Sequence, residues 1–152
     1  MRALTPIIIL LAFNLSTPLV CVAQGESKAP EQDAIATLET RARQAPPRER
    51  CFLYAKLIQQ MTDLSIRQYA AGDVNKATHL LKQVQQFAQE IHISIGENDK
   101  RLKSAELLLN RTAFRLKEML QFSNFEDRDL VEQTLAQVNR AQSATMMQVF
   151  EK

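Results

Sequence analysis

VNKATHLLKQVQQFAQEIHISIGENDKRLKSAELLLNRTAFRLKEMLQF, residues 74–122, is the stretch on which the fold turns. Val74, Ala77, Leu81, Val84, Ala88, Ile91 and Ile95 recur at alternating steps of three and four, the spacing of one face of an α-helix. Carrying the count forward gives Asn98, Leu102, Ala105, Leu109, Thr112, Leu116 and Met119. The apolar phase therefore passes through Gly96-Glu97-Asn98-Asp99 unbroken. Two architectures follow. A turn at 96–99 makes two helices of a compact bundle, whereas no turn makes one helix over 74–122, about 70 Å long at 1.5 Å per residue, at the centre of an elongated molecule. Gly96, Asn98 and Asp99, with the β-branched Ile93 and Ile95 just before them, favour the turn.

Upstream, Gly72-Asp73 supplies a chain reversal and an N-cap. The helix before it starts near Arg48 and carries Leu53, Tyr54, Leu57, Ile58, Met61 and Leu64 on one broad apolar face. Pro46-Pro47 separates it from a first helix running from Pro30 to about Gln44. That helix has only a thin stripe, Ala34, Ile35 and Leu38, and is expected to dock weakly. Downstream, Ser123-Asn124-Phe125-Glu126 fits a capping box, with Ser123 as the cap and Glu126 reaching back. Leu130, Val131, Leu135, Val138, Ala141, Thr145 and Val149 then line one face of a last helix. Low glycine content and no tryptophan argue against a β-rich fold. The expectation is an all-α, antiparallel up-and-down bundle of four main helices, with coiled-coil-like apolar phase, plus a weak N-terminal helix.

The chain opens Met1-Arg2-Ala3-Leu4-Thr5-Pro6, continues with the apolar run Ile7 to Phe13, and reaches Cys21-Val22-Ala23-Gln24. A basic start, an apolar middle and a small residue at the cleavage edge form a secretory signal, predicted to be cut after Ala23. The apolar run is shorter than the roughly 20 residues of a spanning helix, and Pro18 interrupts its continuation, so a retained anchor is the lesser alternative. Lipid attachment at Cys21 is disfavoured by Val20, where a small residue belongs. Residues 24–29 read as a flexible tether and 30–152 as a single domain, periplasmic or secreted. Loss of residues 1–23, which hold one base and no acid, takes the formal charge from +2 to +1. Such a balance offers no electrostatic footing for nucleic acid. Cys51 is then the sole cysteine, read as a small buried side chain on a helix rather than a reactive thiol.

Catalytic constellations are missing. His79 and His92 lie thirteen residues apart on one helix, about 20 Å along its axis, so they cannot share a metal. The chain has no Glu-x-x-His pair of the di-iron kind, and its three glycines are too scattered for a phosphate loop. Pairing Cys51 with either histidine has no local support. No residue is assigned to catalysis, to a metal or to a cofactor. Asn110-Arg111-Thr112 matches a glycosylation sequon, but Thr112 falls on the apolar phase. Haem held between His92 and one of Met61, Met119, Met146 or Met147 is the main cofactor alternative, within a wider alternative of a small-ligand-binding bundle. Methionine at helical spacing is more often core filler.

Surface charge supplies the one candidate site. Lys100, Arg101, Lys103, Arg111 and Arg115 make a basic segment that could dock a protein partner or an anionic polymer of the envelope, and Lys117 extends it. The last helix opens acidic at Glu126, Asp127, Asp129 and Glu132, so Arg115 and Glu132 are expected to pair across the hairpin. Leu64, Gly72-Asp73, Ala77 and Leu81 fall at offsets that resemble one tetratricopeptide hairpin, although Gln68 replaces the usual aromatic and no copy recurs about 34 residues on. Arg101-Leu102-Lys103-Ser104-Ala105-Glu106, Arg115-Leu116 and Glu126-Asp127-Arg128, followed by Val131, Val138 and Gln142, resemble a group of small exported all-helical bacterial proteins. That resemblance spans roughly residues 50 to 150 and implies export and a helical fold. It implies no mechanism. The function expected is a non-enzymatic, exported module with a protein partner or a structural role, capable of self-association and without a stable membrane span after processing.

Overall fold

The computed structural model describes residues 29–95 and 100–150. Both the predicted signal segment and residues 96–99 lie outside them. Five helices follow in chain order: α1 Ala29–Gln44, α2 Pro47–Ala70, α3 Val74–Ser94, α4 Leu102–Phe122 and α5 Phe125–Phe150. No strand occurs among the described residues.

The question posed by residues 74–122 has a definite answer. Ile95 leaves the helix for an extended conformation, φ −65° and ψ 132°, and Arg101 adopts a left-handed one at φ 60° before α4 begins. Two helices result, and the single long helix is excluded. The shared phase has a simple cause: Leu81, Val84, Ala88 and Ile91 on α3 and Leu102, Ala105, Leu109 and Leu116 on α4 all face one core.

The four long helices form a closed ring in which α2 packs on α3, α3 on α5, α5 on α4 and α4 on α2. The hairpins α2/α3 and α4/α5 thus lie face to face. Lys100 N–H donates to Arg48 C=O at 2.7 Å, which places the start of α4 beside the start of α2. At the opposite end Tyr69 of α2 reaches Asn124 and Asp127 at the start of α5. Helix direction alternates as expected, but α3 and α4 are diagonal rather than adjacent. This is a departure from a simple up-and-down order, in which each helix neighbours its successor.

α2 is buried nearly all round, because α1, α3 and α4 each cover one side. Leu57, Ile58 and Met61 therefore have almost no exposure. The α1 backbone packs against α2, antiparallel to it, with an Arg67–Glu31 ion pair at one end. Its buried residues are Ile35, Leu38 and Ala42, with Ala45 buried just past its end, whereas Ala34 is exposed. The predicted stripe was thus too short and partly misplaced. Arg50 Nε donates to Ala45 C=O at 2.8 Å, closing the α1–α2 turn. Phe87, off the expected phase of α3, is buried because Tyr54 stacks on it at 5.5 Å and the Arg43 guanidinium lies 5.2 Å from its ring.

Two caps differ from expectation. Asp73 occupies the N-cap of α3 without a side-chain capping bond, and its carboxylate lies 3.8 Å from Lys76 Nζ. Ser123 does not begin α5. Its N–H and O–H both donate to Met119 C=O, at 3.0 and 2.6 Å, so it closes α4, and α5 starts from Asn124.

Candidate functional site

The basic segment proposed from sequence divides into two groups. Lys100, Arg101 and Arg115 turn toward α2. Lys100 lies 3.8 Å from Glu49, the Arg101 guanidinium stands 3.5 Å from the Phe52 ring centroid, and Arg115 bridges Asp63 at 3.5 Å and Glu118 at 2.6 Å. These cations clasp α4 to α2. Arg115 does not meet Glu132, which pairs instead with Arg128 one turn away at 3.2 Å. The physical reason is rotational: Arg115 points off α4 on the side of α2, while α5 packs on the other side.

Lys103 and Arg111 belong to the second group, together with Lys117. All three are exposed and form no ion pair among the described residues. Between them run Leu107 and Phe114, 55% and 60% exposed. Seven residues of a helix make almost two full turns, so these two side chains stand one above the other. Arg111 follows Leu107 by four, and Lys103 and Lys117 flank the stripe at its ends. Near the opposite terminus, α5 exposes Met146, Met147 and Phe150. Gln142 donating to Glu106 at 3.1 Å shows that this end of α5 lies beside the start of α4. The exposed apolar residues were overlooked in the sequence because Leu107 and Phe114 stand off the core phase, where the charges drew attention first. Their spacing of seven was the available signal.

A second concave feature lies on the far side of the molecule. α1 and α3 both border α2 and meet where Arg43 lies over Phe87, leaving beside that contact a groove of about 410 Å³. Its floor is Ile35, Met61, Leu64 and Gln68, and Leu80 and His79 border it on α3.

The remaining sequence candidates are placed as follows. His79 and His92 are exposed, and Cys51 is buried. Met61 and Met119 are core residues, whereas Met146 and Met147 are exposed with His92. Among the described residues no three His, Cys, Asp or Glu side chains group as a metal site. No described helix is long and apolar enough to cross a membrane. Thr112 of the sequon is buried and donates to Leu108 C=O at 2.8 Å.

Tyr69 is the functional-looking polar group that sequence reasoning missed. It accepts from Asn124 N–H at 2.8 Å and donates to Asp127 Oδ2 at 3.0 Å. Burial foremost, and the bond to Asp127, push its phenol up from 10.0, while the Asn124 bond acts the other way. Since the group ties one turn to a distant helix and faces no cleft, its role is structural.

No protein-family model, curated protein or solved structure matches the chain.

Proposed function

We propose that the protein is an exported, non-enzymatic helical module that binds a protein partner through the outward face of α4. The observation that carries this is the Leu107–Phe114 stripe, exposed on a helix whose opposite face is fully committed to the core, and bordered by Lys103, Arg111 and Lys117, which form no ion pair among the described residues. Exposed large apolar side chains in register are costly to solubility unless something covers them. The complementary surface is an amphipathic helix with apolar residues at three- and seven-residue steps and acidic flanks. Export rests on Met1 to Ala23, and the resemblance to exported helical proteins agrees with it.

The test is chemical cross-linking in the native envelope fraction, comparing the wild type with a Leu107→Ser/Phe114→Ser variant. Both positions are exposed, so the double variant should keep its helical circular dichroism and change stability by no more than about 0.5 kcal/mol per site. The expected result is a discrete cross-linked partner with wild type that disappears with the variant. A partner retained by the variant would place the contact elsewhere. Protein recovered from the envelope should begin at Gln24.

A further inference from the structure

We infer that the groove between α1 and α3 binds a small uncharged molecule that combines an apolar body with one hydrogen-bond donor. This site is separate from the α4 face and does not depend on it. Gln68 carries the inference. Its side chain forms part of the groove floor, the residue is only 1% exposed, and its Oε1 has no hydrogen-bond partner. Buried polar atoms are almost always paired, because a desolvated acceptor without a donor is unfavourable. The neighbouring polar group on α2 obeys that rule: Ser65 donates to Ala77 C=O at 3.0 Å. Among the described residues Gln68 Oε1 and Thr62 Oγ1 are the exceptions, and of the two only Gln68 lines the groove.

The surroundings define the ligand. Ile35, Met61, Leu64 and Leu80 supply apolar contact, suited to a hydrocarbon or aromatic body. A carboxamide oxygen accepts but cannot donate, which selects an N–H or O–H group and disfavours an anion. No acidic side chain lies in the floor to neutralise a cation, since Glu39 stands at the margin. A volume of about 410 Å³ falls in the lower range of small-molecule sites.

N-phenyl-1-naphthylamine meets these requirements, with a single N–H between two aromatic groups. 1-Benzylnaphthalene has the same shape with a methylene in place of the N–H. Fluorescence titration of the purified protein should show saturable binding of the amine at one site, and competition should show it binding about tenfold more tightly than the hydrocarbon. Gln68→Leu should abolish that preference while still binding both. Ala36→Trp, at an exposed rim position on α1, should block both probes and leave the fold intact. Leu107→Ser/Phe114→Ser should leave both affinities unchanged. No saturable binding, or binding unaffected by Ala36→Trp, overturns the site. Equal affinity for the two probes in the wild type overturns the role of Gln68, whose oxygen would then be satisfied by water alone.

Discussion

At the scale of single residues, Tyr69 shows how much of a bundle's specificity can rest on one polar contact. Its oxygen serves a backbone N–H of the α4–α5 turn, and its proton serves Asp127 in the first turn of α5. The N-cap N–H, which the N3 side chain of a capping box would otherwise accept, is here satisfied from another helix. Tyr69→Phe keeps the ring in place and removes both bonds, so urea unfolding should show a loss of about 1–2 kcal/mol. A pH dependence accompanies it. Because the folded state holds the phenolic proton more tightly than the unfolded chain does, the contribution is complete below 10 and is lost as pH rises through the folded value. Stability should therefore be level with respect to this group up to about pH 9 and fall at higher pH, with a smaller fall in Tyr69→Phe. A residual fall should persist from Tyr54, which burial foremost, and a hydrogen bond to Glu90, push in the same direction. None of this was legible in the sequence. Tyr69 and Asn124 are 55 residues apart, and Ser123 with Glu126 offered a complete local alternative. That alternative lost because the same serine also closes α4.

Elements were far more legible than contacts. Apolar periodicity located every long helix, since burial of one stripe is what makes an isolated segment helical in a protein. Ends were legible where the backbone itself demands a residue type. Gly72 takes φ +85°, Gly72 N–H donates to Tyr69 C=O, and Asp73 N–H donates to Gln68 C=O, a Schellman closure of α2. A methyl group at Gly72 would meet nothing within 4 Å, so Gly72→Ala isolates the backbone cost. It should destabilise by about 1–2 kcal/mol, and Gly72→Asn by less, as read from thermal unfolding of the two variants. The start of α4 was not legible in this way. There the left-handed position falls on Arg101, and its side chain is held over Phe52, a contact no local pattern announces. The proposed basic site suffered from the same blindness. A run of cations on one helix looks uniform in sequence, yet rotation about the axis sends Arg115 to Asp63 and leaves Arg111 in solvent.

For the whole molecule, the arrangement of helices follows from which faces need cover, and the sequence contained only half of that information. α2 has apolar or small residues on nearly every side, which is why three helices surround it. α1 completes that enclosure and, touching α3 only through Arg43 over Phe87, leaves the groove beside α3 open. The diagonal placing of α3 and α4 gives the chain a further property. Each hairpin is closed by a short turn, so the two halves of the core are held to one another across a single passage of chain. The apolar phase of that passage also suits a straight helix. If it straightens, α2/α3 of one molecule and α4/α5 of another can rebuild the same core with no new contact invented, an exchange of halves between two copies. Replacing Ile95 and Gly96 by alanine favours the helical form of the passage. Size-exclusion chromatography of that double variant should show a dimer that grows with protein concentration during refolding, with unchanged helical content. A variant that stays monomeric at every concentration would show that the diagonal arrangement is fixed by the packing of the helices themselves.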